Sequence, residues 1–120
     1  MCFVIVKGQE KPYIASRDIR CYKVMNRIGG NLTSLFLAFP YKEGVVYRRP
    51  FKIKLIKPRR FGDIINVGYH SYRTKKRAKN HCDYLHNEVV VSCIIPKGTL
   101  FFKNKFEYVS NGIKIEGIIH

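Results

Sequence analysis

The chain has 120 residues, of which 46% are apolar and 13% aromatic, with no Trp. This apolar fraction excludes a disordered tail, and one core at this length buries roughly two-thirds of the surface of the unfolded chain. We therefore expect a single compact domain over residues 1–120. The 23 Lys and Arg against 8 Asp and Glu leave a net charge of +15. Because like charges repel on so small a body, this excess indicates an anionic partner.

The N-terminal apolar run, Phe3 to Val6, is too short for a signal peptide and favours a first strand. No apolar window approaches the length of a membrane span, so we expect no contact with a membrane. The four cysteines are widely spaced, as reduced packing thiols are: Cys2, Cys21, Cys82 and Cys93. The sequence thus predicts no disulfides and a cytoplasmic location.

Turn residues divide the chain into short segments rich in β-branched and aromatic residues, which is the pattern of strands. In chain order, the predicted strands are 20–25, 45–47, 51–56, 64–69, 89–95, 100–102, 106–109 and 113–119. Apolar residues alternate with Lys52 and Lys54 in the third of these strands, which predicts one open face. The strand 89–95 shows no alternation, which predicts a central strand covered on both sides.

One helix is predicted from Thr74 as N-cap to His86, with a narrow apolar stripe of Ala78, either His81 or Cys82, and Leu85. The predicted fold class is therefore α+β. It consists of a twisted, mainly antiparallel sheet of six to eight short strands with this main helix, about 74–86, packed on it.

The basic residues are concentrated in two short windows. Eight lie between Lys42 and Arg60, against Glu43 alone, and five lie between Arg73 and Lys79 without an acid. The second window falls at the start of the predicted helix, where free N–H groups also favour anions. If the strand 51–56 and the helix lie on one side of the sheet, the two windows form a cationic groove.

Aromatic residues are interleaved with these basic residues and predict stacking platforms for unpaired bases: Tyr41, Tyr47, Phe61, Tyr69, Tyr72 and Tyr84. Such a mixture suits single-stranded or folded RNA better than a duplex read through its grooves. An acidic protein surface remains the alternative partner. The predicted binding residues are Arg48, Arg49, Lys52, Lys54, Lys57, Arg59, Arg60, His70, Tyr72, Arg73, Lys75, Lys76 and Lys79.

The sequence favours a protein that is not an enzyme, with no catalytic residues, no metal ion and no cofactor. His70 and Ser71 could serve as a base and a hydroxyl, but no carboxylate lies beside them in the sequence, so a structural histidine is the preferred interpretation. Cys82 and His86, four residues apart on the predicted helix with His81 adjacent to Cys82, form only a weak metal pattern. The eight acids are scattered and suggest no catalytic pair.

Five short motifs resemble small uncharacterised domains of bacterial, phage and mobile-element proteins: Asp18 to Lys23, Phe39 to Gly44, Gly68 to Ser71, Ile95 to Thr99 and Val109 to Ile115. This resemblance implies a compact β-rich fold and an origin in a phage or mobile element. Together with the size and the charge, it leads us to expect a small basic protein that binds RNA or a nucleoprotein complex. Within that class, the sequence suggests an inhibitor of a nucleic-acid-guided defence system, of the anti-CRISPR type.

A second set of residues is similar to the core of the ADP-ribosyltransferases, which use NAD. Arg20, Ser71 and Glu88 stand in the order in which that family carries its Arg, Ser and Glu. The Ser lies in His-Ser-Tyr where the family has Ser-Thr-Ser, and the Glu lacks its usual paired setting. An NAD-using enzyme of that type is the alternative function. The oligomeric state stays open.

Overall fold

The computed structural model describes residues 3–5, 12–29, 31–34, 40–49, 52–54 and 63–119, with the backbone alone at 3–5, 52–54 and 63–67. The described residues contain a short α-helix, α1 (Lys75–Asn80), and a 3-10 turn at Tyr84–His86. Their strands are β1 (Phe3–Ile5), β2 (Tyr13–Ile14), β3 (Ile19–Ile28), β4 (Asn31–Ser34), β5 (Pro40–Tyr41), β6 (Val46–Arg48), β7 (Lys52–Lys54), β8 (Asp63–Val67), β9 (Tyr69–Tyr72), β10 (Glu88–Ile95), β11 (Leu100–Lys103), β12 (Glu107–Ser110) and β13 (Gly112–Ile118).

The described strands form two antiparallel sheets. The small sheet has the order β1-β8-β7, and the large sheet has the order β2-β11-β12-β9-β3-β10-β13-β6. Strand β4 joins the large sheet beside β3, and β5 pairs with β4. The long strand β3 is the centre of this arrangement, because β10 pairs with it from Ile19 to Asn26 while β9 and β4 share its other edge.

Alternation along β3 and β10 defines two faces of the large sheet. Cys21, Lys23 and Met25 lie on the first face, opposite Cys93, Val91 and Val89 of β10. This inner face carries the main core, which includes fully buried residues of three strands: Met25, Val91, Ile95, Ile113 and Ile115. Strand β10 lies between β3 and β13, so the prediction of a central, covered strand at 89–95 is confirmed.

The outer face of the sheet carries Tyr22, Val24 and Val90, and α1 packs on it through Ala78, which is fully buried. The small side chain of Ala78 allows the helix to lie close to the strands. This contact fixes α1 over β3, β9 and β10.

The sheet bends sharply at Asn111, between β12 and β13. Residues before the bend pair with β9 and β11, whereas residues after it pair with β10 and β6. Backbone hydrogen bonds from Arg49 N to Asn111 O (2.8 Å) and from Asn111 N to Leu100 O (3.0 Å) hold the bend. The two halves of the sheet therefore wrap around one core.

The prediction of an α+β fold with a main helix over 74–86 is wrong, since the fold is dominated by antiparallel sheet. The strands also outnumber the six to eight expected. Thr74 is the N-cap, as predicted, and accepts a hydrogen bond from Arg77 N at 3.2 Å. The helix nevertheless ends at Asn80, because Asp83 caps a separate turn through Leu85 N.

The predicted apolar stripe explains the error. Ala78 is buried, but Leu85 is 93% exposed and contributes nothing to the core. One buried alanine cannot hold a four-turn helix on a sheet, because most helical stability in proteins comes from an extended apolar face.

Among the described residues, no helix has the length and apolar character needed to cross a membrane.

Candidate nucleic-acid interface

The thirteen predicted binding residues divide into three groups. Lys57, Arg59 and Arg60 lie outside the described residues, and Lys52 and Lys54 are described only as strand backbone in β7. The structure describes the side chains of the other eight: Arg48, Arg49, His70, Tyr72, Arg73, Lys75, Lys76 and Lys79. The predicted groove between the two basic windows depends on the side chains of the first two groups, and these side chains lie outside the described part of the structure.

The second window forms a coherent basic surface together with the turn between β11 and β12. Arg73 N donates to Phe106 O at 2.8 Å, and Arg73 Nη1 donates to Asn104 O at 2.8 Å. These bonds place the turn against the start of α1. We call the surface the basic ridge; its members are Arg73, Lys75, Lys76, Arg77, Lys79, Lys103 and Lys105.

The ring of Phe106 contacts two cations of this ridge. The guanidinium carbon of Arg77 is 4.0 Å from the ring centroid, and Lys105 Nζ is 5.4 Å from it. Arg73 lies over Tyr108 at 5.6 Å, and Lys103 lies over Tyr13 at 4.9 Å. Each contact holds a cation by its attraction to the negative face of an aromatic ring.

Carboxylates do little to neutralise the ridge. Between residues that the structure describes, Arg20 with Glu116, at 3.0 Å, is the one ion pair of an Arg or Lys with a carboxylate. Glu107 lies beside the ridge, where burial raises its pKa while Arg77 and His81 oppose the rise. Glu107 is a single acid beside the seven basic residues of the ridge, so the ridge is positive overall.

Lys75, Lys76 and Lys79 are exposed on α1, whereas Ala78 points into the sheet. Because successive helical residues are about 100° apart, Lys76 points away from the protein and Arg77 points towards the turn. Helix α1 has fewer than two turns. It therefore carries a few separate lysine charges and is too short to form a long recognition surface.

Tyr72 is half-buried, and its ring stacks on that of His81 with centroids 5.3 Å apart and an interplanar angle of 10°. Glu107 pairs with Tyr72 across β9 and β12. This aromatic pair therefore lies next to the pair of Arg77 and Phe106, as neighbours on the same edge of the protein. The structure thus brings Tyr72, of the predicted set, together with the ridge.

Arg48 and Arg49 lie elsewhere in the fold, at the end of β6. Arg49 reaches over Tyr69, with its guanidinium carbon 5.6 Å from the ring centroid. Arg48 is exposed, and its Nη1 lies 3.2 Å from the position that a Cβ on Gly112 would take. Arg49 N also donates to Asn111 O, which places Arg49 at the bend of the sheet.

Several aromatic residues predicted as platforms are core residues. Tyr41 and Tyr69 are 8% and 3% exposed, and their rings meet edge to face at 6.3 Å. Burial raises the pKa of the Tyr41 phenol well above its usual range, and burial also raises that of Tyr69. The prediction that these two rings stack on bases has no geometric support, since their faces are inaccessible. Phe61 lies outside the described residues.

The predicted binding set omitted Arg77, although Arg77 was counted in the second basic window, and sequence reasoning missed Lys103, Lys105 and Phe106 altogether. The signal was present in Lys103-Asn104-Lys105-Phe106, where a turn residue sits between two lysines and precedes an aromatic. The sequence alone could not show that this turn contacts α1, because the contact joins segments that are distant in the chain.

His70 lies on β9, opposite Val109 of β12. Its backbone carbonyl accepts a hydrogen bond from Lys23 Nζ. Burial and the nearby Lys23 charge lower the pKa of His70 to about 4, so its ring is neutral at physiological pH. A neutral, half-buried imidazole makes a poor contact for phosphate. The geometry favours the structural role that the sequence analysis preferred.

Lys23 and two thiols occupy the inner face beside Ser71. Cys21 and Cys93 are direct cross-strand partners and are fully buried. Burial lowers the pKa of Lys23, and the neighbouring Cys93 thiol lowers the pKa of Cys21. Burial raises the pKa of Cys93. Thiols with no exposed surface are packing residues, since reactive ones need access to their substrates.

The three residues similar to those of ADP-ribosyltransferases do not meet. Glu88 pairs with Asn26, six residues along β3 from Arg20, which corresponds to roughly 20 Å. Ser71 belongs to the inner face, whereas Arg20 donates from the outer face to Ser92 Oγ at 2.7 Å. These positions do not form one catalytic centre.

The residues of the weak metal pattern also have other contacts. His81 stacks on Tyr72, and His86 Nδ1 is hydrogen-bonded to Asp83 Oδ2. Cys82 packs beside Ala78 in the cluster under α1.

Comparisons of the chain with protein-family models, with curated proteins and with solved structures gave no match. The physical arrangement of the residues therefore carries the functional argument.

Proposed function

We propose that the protein is a non-enzymatic RNA-binding protein that holds the sugar-phosphate backbone of RNA on the basic ridge. The observation that carries this proposal is the joining of α1 to the turn between β11 and β12. This contact joins α1, which together with Arg73 just before it carries five of the ridge's basic residues, to the segment that carries Lys103 and Lys105, with the half-buried Glu107 beside it. RNA binds such a surface because each phosphate that a cation neutralises releases condensed counterions.

The arrangement of the cations supports a polyanion over a small anion. Lys75, Lys76 and Lys79 are exposed, and the ridge continues across the turn to Lys103 and Lys105. The cations belong to two segments, α1 with its flanking residues and the turn, which are joined at Arg73 and Arg77. A chain of regularly spaced phosphates can contact cations on both segments at once.

A narrower role within this proposal is inhibition of a nucleic-acid-guided defence complex. The motifs resembling phage and mobile-element domains support it, together with the small size and the net charge of +15. The basic ridge would act there by holding the guide RNA or by covering the channel in which the effector carries it. Target cleavage by a reconstituted guide-effector complex, measured with increasing protein, tests this narrower role. Unchanged cleavage at saturating protein would contradict it.

Fluorescence anisotropy with a labelled single-stranded RNA tests the proposed function. The double variant Lys76→Glu/Lys79→Glu reverses two exposed charges of the ridge. The matched control Arg27→Glu/Lys97→Glu reverses two exposed charges away from α1, so both variants have the same net charge. We expect the ridge variant to lose at least tenfold in affinity and the control to lose much less. Equal losses would show that net charge, not the ridge, determines binding.

A further inference from the structure

Phe106 is an exposed aromatic residue in contact with the basic ridge, and its position is unusually well fixed for a turn residue. Its side chain is 39% exposed. Asn104 Oδ1 accepts hydrogen bonds from Phe106 N at 2.9 Å and from Glu107 N at 2.7 Å. Phe106 O accepts from Arg73 N. The ring is therefore held in place before any ligand arrives, which lowers the entropic cost of binding.

The guanidinium of Arg77 extends this aromatic surface. It lies over the Phe106 ring at 4.0 Å, a distance that permits flat stacking. Its Nε is buried and has no hydrogen-bond partner in the part of the chain that the structure describes. A planar, charged group that is held against a ring is a typical stacking surface for a nucleobase.

We propose that Phe106 and Arg77 form a stacking position for one unpaired base, which makes the ridge selective for single-stranded RNA. This inference rests on the proposed function, because the ridge must first hold the phosphate backbone. The base of a single strand can turn towards the protein and stack, whereas the bases of a duplex are stacked on one another. Helix α1 has six residues, about 9 Å, too short to read a groove.

Anisotropy titrations with three labelled strands of equal length test the inference at one fixed salt concentration. The strands are a single-stranded RNA, an abasic strand with the same phosphates, and an RNA duplex. Phe106→Leu keeps an apolar residue in the turn but removes the ring. We expect it to lower affinity for the single-stranded RNA about tenfold and to leave affinity for the abasic strand unchanged.

A second variant tests the stacking position without changing a residue of the turn. Arg77→Lys keeps the positive charge and removes the planar group, so it should also lower affinity for the single-stranded RNA and spare the abasic strand. Tyr84→Leu, which removes an aromatic ring that is 57% exposed outside the ridge, is the control and should change neither. Thermal unfolding of each variant confirms that it is folded.

The failure of this inference is distinct from the failure of the proposed function. If the unmodified protein binds the abasic strand, the duplex and the single strand equally, the stacking position does not exist and the ridge reads phosphate alone. Equal weakening of the RNA and the abasic strand by Phe106→Leu would overturn it as well. If the unmodified protein binds none of the three strands, both the stacking position and the proposed function are wrong.

Discussion

Arg77 and Phe106 connect two segments that are far apart in the chain, with the guanidinium carbon 4.0 Å from the ring centroid. Arg77 belongs to α1, and Phe106 belongs to the turn between β11 and β12. The contact turns two separate basic segments into one surface. The proposed function depends on this contact more than on the number of basic residues.

The first prediction concerns Asn104, which organises the turn that carries Phe106. Its side-chain oxygen accepts two backbone N–H bonds, from Phe106 and Glu107. Asn104→Ala removes the acceptor and should lower the free energy of unfolding by about 1–2 kcal/mol. Asn104→Asp keeps an acceptor of the same shape and should cost much less. Denaturant unfolding measures both, and equal losses would show that the side chain does not organise the turn.

The second prediction concerns Gly112, where β13 passes close to Thr99. A Cβ at this position would lie 3.2 Å from Thr99 Cγ2 and 3.3 Å from Thr99 Oγ1. Thr99 is 1% exposed and has no room to retreat. Gly112→Ala should therefore lower the free energy of unfolding by about 1–3 kcal/mol.

Two variants serve as controls for the Gly112 prediction. Gly117→Ala meets its nearest atom, Glu43 Oε1, at 3.8 Å, which is an ordinary contact. It should change the free energy of unfolding by no more than about 0.5 kcal/mol. In a Thr99→Ala background, the Gly112→Ala change should cost less than in the unmodified chain. An undiminished cost would contradict a clash with Thr99.

The third prediction concerns the three described thiols. Cys21 and Cys93 are 0% exposed, whereas Cys82 lies partly exposed after α1. In the folded protein, a thiol reagent should modify Cys82 first, and Cys21 and Cys93 should react together and only through unfolding. The pKa of Cys82 is raised by burial, so the comparison is best made in mild alkali. Peptide mass spectrometry identifies the modified sites.

A different order of modification would contradict the packing of the inner face. If Cys21 or Cys93 reacted as fast as Cys82 under native conditions, the sheet would be open between β3 and β10. A denaturant series supplies the control, because it should raise the rates at Cys21 and Cys93 in parallel with global unfolding.

The fourth prediction concerns pH. Burial and Lys23 lower the pKa of His70 from 6.5 to about 4 in the folded protein. The fold therefore favours the neutral ring, and this contribution to stability is fully present above pH 6.5. It is lost as the pH falls towards 4, up to roughly 3 kcal/mol, because one pKa unit corresponds to about 1.4 kcal/mol.

Unfolding of the unmodified protein and of His70→Gln between pH 7 and pH 4 checks the pH prediction. The variant has no imidazole to protonate, so it should lose less stability over this interval than the unmodified protein. Titrations of the remaining groups are common to both proteins and cancel in the comparison. Parallel pH profiles would show that the His70 ring is as accessible to protons in the folded protein as in the unfolded chain.

The strand pattern of this protein is largely readable from its sequence. The uninterrupted apolar run from Val89 to Ile95 predicted a central strand, and β10 occupies that place. Thr74 was identifiable as an N-cap because its hydroxyl is suited to accept from Arg77 N. Such features depend on neighbouring residues, so local chemistry determines them.

The helix and the binding surface were harder to predict, for a common reason. The spacing of Ala78, Cys82 and Leu85 fits a helix, but Leu85 meets no core and Asp83 ends the pattern by capping its own turn. Tyr41 and Tyr69 were read as platforms because they lie near basic residues, yet the curled sheet buries them. In each case tertiary packing overrides a plausible local pattern. The pairing of the strands determines which side chains are buried, and this pairing is not visible in the local sequence.

The dependence of RNA affinity on salt concentration tests the central claim most directly. If the ridge holds phosphates, the logarithm of the affinity for a single-stranded RNA should fall linearly with the logarithm of salt concentration. Seven contacts would give a slope of about −5, and the Lys76→Glu/Lys79→Glu variant should have a slope shallower by about 1.4. An affinity that does not change with salt, or a slope unchanged in the variant, would contradict binding of RNA through the basic ridge.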